Sequence, residues 1–300
     1  MTATAISVNE RLRSKSHADA LRKKRAFKSA LLRWLCYIAI AITIGSLLAI
    51  VIYICVNGVP NLSWDLLFGE YSADNPSMGF AIISTVELAA LSILIAGPLG
   101  VGCAIYLCEY APRKSKLVSA IRLATQTLSG IPSIIYGLFG ALFFGSTLNM
   151  GYSMICGLLT ISIMVLPTII STSEEAILSV NDMYREGSYG LGAGKLRTII
   201  CIVLPSAAKG IISSFILATG RIVGETAALL FTMGSVAQMP KSLLNSSRTL
   251  AVHMYINTRD GGMTGRQTAF AAGVVLLILV IAINLFASWM ERKAGKLNEN

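Results

Sequence analysis

The chain consists of long apolar runs separated by short polar segments. Six of these runs are long enough to cross the hydrocarbon core of a membrane as α-helices, which takes about 20 residues. They lie near residues 31–56, 80–107, 124–145, 151–171, 206–232 and 268–289. The pattern therefore predicts an all-α integral membrane protein with six transmembrane helices.

The composition supports this interpretation. Hydrophobic residues make up 54% of the chain, charged residues make up 13%, and the mean hydropathy is +0.68, which is typical of a membrane protein rather than of a soluble domain. The six cysteines lie in or beside apolar runs without a C-x-x-C pair, so they are interpreted as small hydrophobic residues. His17 lies in a polar tail and His253 in a predicted loop. No metal site is predicted.

Basic residues are concentrated before the first apolar run. Residues 1–33 carry nine Lys or Arg against Glu10 and Asp19. We interpret residues 1–30 as a cytoplasmic tail that contacts anionic lipid headgroups. Nucleic-acid binding is the less economical interpretation, because a membrane helix follows directly at 31–56, and a transit peptide is a further alternative.

Charges in the connections predict the orientation of the helices. Lys and Arg are absent from 57–79 but present after the second run, in the polar segment 172–205 and in the tail 291–300. By the positive-inside rule both termini lie in the cytoplasm. The connection 233–267 is predicted to lie outside, and its basic residues make it an exception to this rule. It is either a basic vestibule that attracts an anion or an acidic partner, or an ordinary solvated loop. Its basic residues are Lys241, Arg248, Arg259 and Arg266.

Glycine and proline residues occur at several positions within the apolar runs. Two glycine pairs at helical spacing, Gly137 with Gly140 and Gly220 with Gly224, are expected to let helix backbones approach closely. Three prolines are expected to kink their helices: Pro98, Pro132 and Pro167.

The polar segment 172–205 contains helix-start and helix-stop signals. Asn181 and Asp182 are candidate caps of one short helix, and a second short helix is predicted from about Lys195 to Pro205. The two helices would form a rigid lever, and an ordinary amphipathic loop is the alternative. The break between them falls at Gly190, Gly192 and Gly194.

The spacing within this segment resembles the cytoplasmic loop of ABC importer permeases. Glu186-Gly-Ser-Tyr-Gly-Leu-Gly192, nine further residues and Ile202-Val-Leu204-Pro205 fit the pattern EAA-x3-G-x9-I-x-L-P, except that Gly187 and Ser188 stand where the family prefers Ala. The resemblance implies that a separate ATP-hydrolysing subunit docks here. The residues assigned to this coupling contact are Tyr184, Arg185, Glu186, Gly187, Ser188, Gly192 and Pro205.

Two ionisable residues fall inside the fifth apolar run. Arg221 and Glu225 are spaced i and i+4, so they are expected to share a helical face, and an unpaired charge at that depth costs about 3 kcal/mol or more. They could neutralise each other as a packing salt bridge, or Arg221 could present its planar donors to an oxyanion while Glu225 holds it in position. Glu87 in the second run could pair with Arg221, face a water-filled cavity or become neutral. Together with Thr226 these residues form the predicted substrate path.

Two further strings narrow the resemblance. Ser129-Gly-Ile-Pro132-Ser-Ile-Ile-Tyr136-Gly-Leu-Phe-Gly140 and Ala218-Thr-Gly-Arg221-Ile-Val-Gly-Glu225-Thr-Ala resemble the phosphate-specific ABC importer permeases of bacteria, most closely their PstA type of subunit. The similarity covers about residues 78–290. It implies a type I importer permease fold with a coupling loop at 172–205, in the bacterial cytoplasmic membrane.

The resemblance also implies that the chain has partner proteins and that one of them, rather than this chain, binds ATP. The partners would be a second homologous permease (PstC-like), a dimer of ATPase subunits (PstB-like) and an extracytoplasmic phosphate-binding protein (PstS-like). The chain has no G-x-x-x-x-G-K-[ST] loop, so it is expected to be a transport subunit without its own catalytic site or cofactor, and ATP and Mg would be bound by the partner ATPase. It would form half of the translocation path of an ATP-driven phosphate importer.

Three alternatives stay open from the sequence. The same architecture could import another oxyanion, such as molybdate or sulfate. An ion-coupled secondary carrier would use Glu87 and Glu225 to relay protons. A structural or signalling membrane protein is the third alternative.

Overall fold

The computed structural model describes the backbone of residues 2–72, 75–112 and 115–297, and the side chains of residues 29–72, 75–112, 115–289 and 292. Helices are the only regular secondary structure in this described part, so the predicted all-α class is confirmed. The chain divides into two compact units, residues 1–55 and 56–300. The basic side chains assigned to lipid contact before Arg33, together with Arg113 and Lys114, lie outside the described residues.

The first unit is helix α1 (Thr2–Gly58) as far as Cys55. Side chains at every position from 29 to 50 are exposed, and the stretch Ser29–Asn61 is long and apolar enough to cross a membrane. A helix that is apolar on all sides is typical of a membrane span. This stretch contains the predicted span 31–56.

The second unit opens with a 3-10 turn (Val59–Asn61). Three of its helices continue as π-helical turns: α3 into Tyr106–Tyr110, α5 into Ala141–Thr147 and α8 into Ile199–Val203. The helices are α2 (Trp64–Phe68), α3 (Gly79–Ile105), α4 (Lys116–Ser129), α5 (Ser133–Gly140), α6 (Met154–Leu178), α7 (Asp182–Gly190), α8 (Lys195–Thr198), α9 (Leu204–Val223), α10 (Ala227–Thr232), α11 (Leu250–Asp260) and α12 (Gly262–Leu297).

In the described part of the chain, five helical stretches are long and apolar enough to cross a membrane, and a sixth crossing arises if α4 and α5 count as one bent span. The order of the predicted spans is therefore confirmed, the predicted number of six is reached when the bent pair counts as one span, and several bounds move. The five stretches are Ser29–Asn61, Gly79–Tyr110, Met154–Leu178, Lys195–Val223 and Gly262–Trp289.

The third predicted span, 124–145, is not one continuous helix. Helix α4 ends at Ser129, α5 begins at Ser133, and the bend between the two helical stretches is 100°. Pro132 is the N-cap of α5 rather than a kink within a helix, because a residue without an N–H is tolerated where a helix starts. Pro98 and Pro167, by contrast, lie inside α3 and α6.

Helix α6 is the centre of the second unit. It packs against α3, α4, α5 and α9, while α12 packs against α9 and α11. Met164, Val165 and Ile169 of α6 are fully buried in the main hydrophobic core. A helix surrounded by other helices in this way fixes the positions of the spans around it.

One of the two glycine pairs makes the predicted close approach. A Cβ at Gly137 would lie 2.6 Å from the Cα of Ala228, and a Cβ at Gly140 would collide with Thr160, so α5 and α10 touch through their backbones. Gly220 does not make such an approach to any described part of this chain, since a Cβ there would have no neighbour within 4 Å among the described residues.

The connection predicted as a basic vestibule is folded against the start of α3. The hydroxyls of Ser84 and Ser247 are 2.9 Å apart, and the Leu250 N–H donates to the Thr85 hydroxyl at 2.8 Å. These buried hydrogen bonds fix the start of α11 on α3.

Arg248 does not line a solvated vestibule, because only 4% of it is exposed. Its Nε–H donates to Nδ1 of His253 at 3.2 Å, and its guanidinium lies 5.3 Å from the Tyr71 ring centre and 5.6 Å from the Phe80 ring centre. His253 is a fully buried residue of α11, so its assignment to a loop was wrong. The sequence gives no local signal for this cluster, since its aromatic rings come from a distant segment.

Candidate functional site

The polar segment 172–205 folds into two helical arms joined by a tight turn, and residues 181–203 are called the elbow below. The first arm is α7, where Asn181 Oδ1 accepts the Met183 N–H at 2.9 Å, so the predicted cap is confirmed. The chain turns at Gly192, whose φ is +81°. Glycine adopts this left-handed conformation without strain, which explains the glycine here.

The second arm is not a separate short helix ending at Pro205, as the sequence predicted. Helix α8, its π-helical turn and α9 form one apolar helix, Lys195–Val223, of 29 residues, which is about 43 Å long at 1.5 Å per residue. Pro205 lies in the first turn of α9, after the π-helical turn, where its missing N–H does not end the helix. The elbow therefore leads without a break into a membrane span.

Two buried hydroxyls join the arms of the elbow. The Thr198 hydroxyl donates to the Gly194 carbonyl at 3.2 Å, and it lies 2.8 Å from the Ser188 hydroxyl. Because the Thr198 proton is already used, Ser188 is the donor between the two. The Ser188 side chain therefore holds the elbow together rather than projecting toward a partner.

Arg185 is also directed into the chain. Its Nε–H donates to Glu109 Oε1 at 3.0 Å, and Nη2 lies 3.0 Å from the same oxygen. Nη1 donates to the Val180 carbonyl at 2.7 Å and to Asp182 Oδ1 at 3.0 Å, while Nη2 donates to the Ile177 carbonyl at 3.0 Å. Four guanidinium N–H groups thus donate hydrogen bonds, and the carboxylate of Glu109 compensates the positive charge.

The outer surface of the elbow presents apolar side chains to solvent. Leu191 at the turn is 91% exposed, Met183 is 73% exposed and Tyr184 is 61% exposed. Glu186, Gly187 and Gly192 are exposed as well. An open groove beside them is lined by Met183, Tyr184, Gly187, Ser188, Leu191, Gly192, Ala193, Arg197 and Ile202. Exposed apolar residues around a groove are typical of a protein–protein contact.

Two acidic residues near the elbow were missed by sequence reasoning. Glu109 pairs with Arg185 across 76 positions of the chain, and Glu174 pairs with Arg122 across 52 positions, with an Nη2–Oε1 distance of 2.6 Å. Neither pair has a local sequence signal, because its partners lie on different helices.

The predicted substrate path lies at a break between two helices rather than within one span. Helix α9 ends at Val223 and α10 begins at Ala227, so the predicted span 206–232 is interrupted. Arg221 and Glu225 consequently do not share a helical face, and no ion pair joins them among the described residues. The expected i, i+4 pairing is wrong because the helix ends between them.

Glu225 caps the helix that follows it. The residue is 8% exposed, and its Oε1 accepts the Ala228 N–H at 3.1 Å. The neighbouring Thr226 hydroxyl donates to the Gly224 carbonyl at 3.4 Å. Both side chains thereby satisfy backbone groups that the break leaves without helical partners.

Arg221 is half-buried in the last turn of α9. Within the described side chains it has no hydrogen bond or ion pair, although it lies within electrostatic reach of Tyr136 on α5, whose hydroxyl donates to the Leu128 carbonyl at 2.8 Å. Glu87 is half-buried on α3 and makes no ion pair with Arg221. The structure thus places Arg221, Glu225 and Thr226 at one break between helices, and Glu87 on a different helix.

Comparison with known proteins places these features in a family context. Residues 96–296 match the family of binding-protein-dependent transport system inner membrane components. The probable ABC transporter permease protein YqgI of Bacillus subtilis is 35% identical over 267 residues, which cover 83% of this chain and 90% of that protein. The phosphate transport system permease protein PstA 2 of Mycobacterium bovis is 31% identical over 263 residues, which cover 86% of this chain and 87% of that protein.

Solved structures show the same architecture. A chain in the crystal structure of a bacterial alginate ABC transporter, in complex with its alginate pentasaccharide-bound periplasmic protein, matches with a TM-score of 0.66. The match covers 88% of this chain and 96% of that chain at 19% sequence identity. At this identity the similarity concerns the fold alone.

Proposed function

Because this chain belongs to the family of binding-protein-dependent transport system inner membrane components, we propose that it is the permease subunit of a bacterial importer for phosphate. Its role as a permease subunit of an ABC importer follows from the family. It is a multi-pass membrane protein with the all-α fold class of type I ABC importer permeases. Phosphate as the transported substrate is the proposal.

Two observations support phosphate. The Mycobacterium bovis relative, 31% identical over most of both chains, is named as a phosphate transport permease. At the break between α9 and α10, Arg221 is half-buried and has no carboxylate partner among the described residues. A guanidinium presents planar paired donors that suit a tetrahedral oxyanion, and leaving it unpaired in a membrane is costly unless a ligand or water contacts it.

The contacts of the Glu225 side chain indicate that Glu225 and Arg221 have different roles at the same break. Its carboxylate oxygen is bonded to the α10 backbone, so it stabilises the broken helix rather than orienting Arg221. Broken helices of this kind occur in transporters where a cavity is lined by backbone and side chains. Arg221 is the proposed contact for the anion, and Glu225 and Thr226 shape the break around it.

The elbow is the proposed docking surface for a separate ATPase. The chain has no phosphate-binding G-x-x-x-x-G-K-[ST] loop, so ATP and Mg would be held by a dimer of ATPase partners. Tyr184, Glu186, Gly187 and Gly192 on the exposed face would contact one of them. A second permease and an extracytoplasmic phosphate-binding protein would complete the importer.

The continuous helix Lys195–Val223 gives this docking a mechanical consequence. Its first residue is in the elbow and its last turn carries Arg221. Movement of the elbow by a closing ATPase dimer would therefore tilt a rigid rod whose far end is the proposed anion contact. Both termini and the elbow would face the cytoplasm, as the distribution of Lys and Arg indicates.

The test is transport by the reconstituted complex in proteoliposomes. We expect uptake of radiolabelled phosphate that requires ATP and the binding protein, that persists when the proton gradient is dissipated, and that excess sulfate or molybdate does not suppress. Uptake suppressed by sulfate or molybdate would assign another oxyanion. Uptake that follows the proton gradient, and continues with an ATPase partner whose phosphate-loop Lys is replaced, would contradict the proposal in favour of a secondary carrier.

A further inference from the structure

Arg185 and Glu109 form a buried ion pair that connects the elbow to a second membrane span. In this pair the side chains of Arg185 and Glu109 are 13% and 6% exposed, whereas Asp182, the other acidic partner of Arg185, is 68% exposed. The buried contact is the costly one to break, because loss of either partner leaves the other charge without compensation. It is therefore the stronger of the two attachments.

The ion pair connects the elbow to helix α3, which is not adjacent to the elbow in the sequence. Helix α7 follows α6 after three residues and precedes α8 after four, so both neighbours move with it through the backbone. Helix α3 has no such connection, and Glu109 lies in the π-helical turn at its end. The Arg185 guanidinium bridges this gap while holding the Ile177 and Val180 carbonyls at the end of α6.

The second arm of the elbow contacts the same turn. Lys195 Nζ, at the first residue of α8, lies 5.0 Å from the centre of the Tyr110 ring. Glu109 and Tyr110 are consecutive, so the two arms of the elbow hold adjacent residues of α3. The ion pair is the buried member of the two contacts, and the cation–π contact is the weaker one at an exposed lysine.

We propose that Glu109 is a positioning residue through which Arg185 transmits movement of the elbow to helix α3. The proposal rests on the proposed function, since it assumes that an ATPase moves the elbow. With the pair intact, α3 and the Lys195–Val223 helix are driven together. Without it, the elbow moves α6 and the Lys195–Val223 helix through the backbone but is no longer fixed to the end of α3, and ATP hydrolysis no longer opens and closes the path efficiently.

The test compares Glu109→Gln with a matched variant, Glu174→Gln, in the complete reconstituted complex. Glu174 also pairs with an arginine at the same side of the bundle, but its partner Arg122 lies on α4 and not on the elbow. Each variant complex is assayed for assembly, ATP hydrolysis and the number of anions imported per ATP hydrolysed. That ratio separates transmission from a merely structural role.

For Glu109→Gln we expect normal assembly, ATP hydrolysis within about twofold of wild type, and about tenfold fewer anions imported per ATP, as for the loss of a hydrogen bond to a charged group. Glu109→Asp, which keeps the charge, should restore at least half of the ratio. For Glu174→Gln we expect the wild-type ratio. A wild-type ratio in Glu109→Gln, or failure of that variant alone to assemble, would overturn the inference.

A failure of the proposed function can be distinguished from a failure of the inference about Glu109. The former would appear as absent phosphate uptake by the wild-type complex. The Glu109 comparison is a ratio of variant to wild type, so it can be made with whichever anion the wild-type complex imports.

Discussion

The hydroxyl oxygens of Ser188 and Thr198 lie 2.8 Å apart in the interior of the elbow and join its two arms. Ser188 belongs to α7, and Thr198 belongs to the helix that continues to Val223. Since both side chains are buried, this contact is shielded from competing water. A force applied to the exposed face of α7 is therefore passed to a rod that ends beside the proposed anion contact.

The tight turn of the elbow should depend on glycine at one position. Gly192 has φ +81°, where an alanine costs about 1–2 kcal/mol, although a Cβ placed there would have no neighbour within 4 Å. We expect Gly192→Ala to increase hydrogen exchange at the Ala193 N–H, which bonds to the Ser188 carbonyl. Gly190→Ala is the control, because that site is equally open without a positive φ. Equal exchange in both variants would contradict the assignment.

The role of Glu225 as a cap predicts how its substitutions should rank. A glutamine can still accept the Ala228 N–H through its amide oxygen, whereas an alanine cannot, and loss of a cap costs about 1 kcal/mol. We expect Glu225→Gln to keep at least half of the phosphate uptake and Glu225→Ala to reduce it by about fivefold. Uptake would be measured at matched amounts of assembled complex. Equal impairment by both substitutions would instead indicate that the charge is required.

The contact between α5 and α10 should not tolerate a side chain. A Cβ at Gly137 would lie 2.6 Å from the Ala228 Cα, whereas a Cβ at Gly145 would have its nearest neighbour at 3.6 Å. We expect Gly137→Ala to lower the free energy of unfolding by about 1–3 kcal/mol through overpacking and Gly145→Ala to change it little. Thermal unfolding in detergent measures both. A Gly137→Ala protein as stable as wild type would show that the two helices can separate at no cost.

Because His253 is buried, we expect the folded protein to lose stability in acid. Burial, reinforced by the nearby Arg248 charge, lowers the pKa of His253 to about 3, from a usual value of about 6.5. Between these values the unfolded chain binds a proton that the folded chain does not. Stability is therefore full above about pH 6.5 and falls as the pH decreases toward 3, by up to about 1.4 kcal/mol per pH unit.

The check is the midpoint of thermal unfolding from pH 8 to pH 5, compared between wild type and His253→Gln. We expect the wild-type midpoint to decrease more steeply below pH 6.5 than that of the variant, because only the wild type has this group. Parallel curves would mean that His253 takes up its proton equally in both states.

Hydropathy predicted the order of the spans but not where they end. Ala227–Thr232 is still apolar, so the run continues past Gly224 although the helix stops at Val223. The end of the helix is shown only by the structure, in which the Glu225 side chain caps the next helix. Pro205 was predicted to end a helix that in fact continues, because the π-helical turn that accommodates it has no simple sequence signature.

The coupling residues show a similar division between local and long-range information. The cap at Asn181 and the turn at Gly192 are local features, and the sequence predicted both. The directions of the Ser188 and Arg185 side chains depend on Thr198 and on Glu109, which is 76 positions away from Arg185. Motif spacing marks such residues without telling whether they face a partner or hold their own chain together.

Import of phosphate past Arg221 can be tested by one comparison, the rate of ATP-driven phosphate uptake by wild-type and Arg221→Gln complexes in proteoliposomes. A charge-assisted contact is worth about 1.5–3 kcal/mol, so its loss should lower uptake by roughly 10- to 100-fold. The amount of assembled ATPase partner should be unchanged, because Arg221 lies at the far end of the helix from the elbow. Wild-type uptake by Arg221→Gln would contradict the assignment of Arg221 as the anion contact.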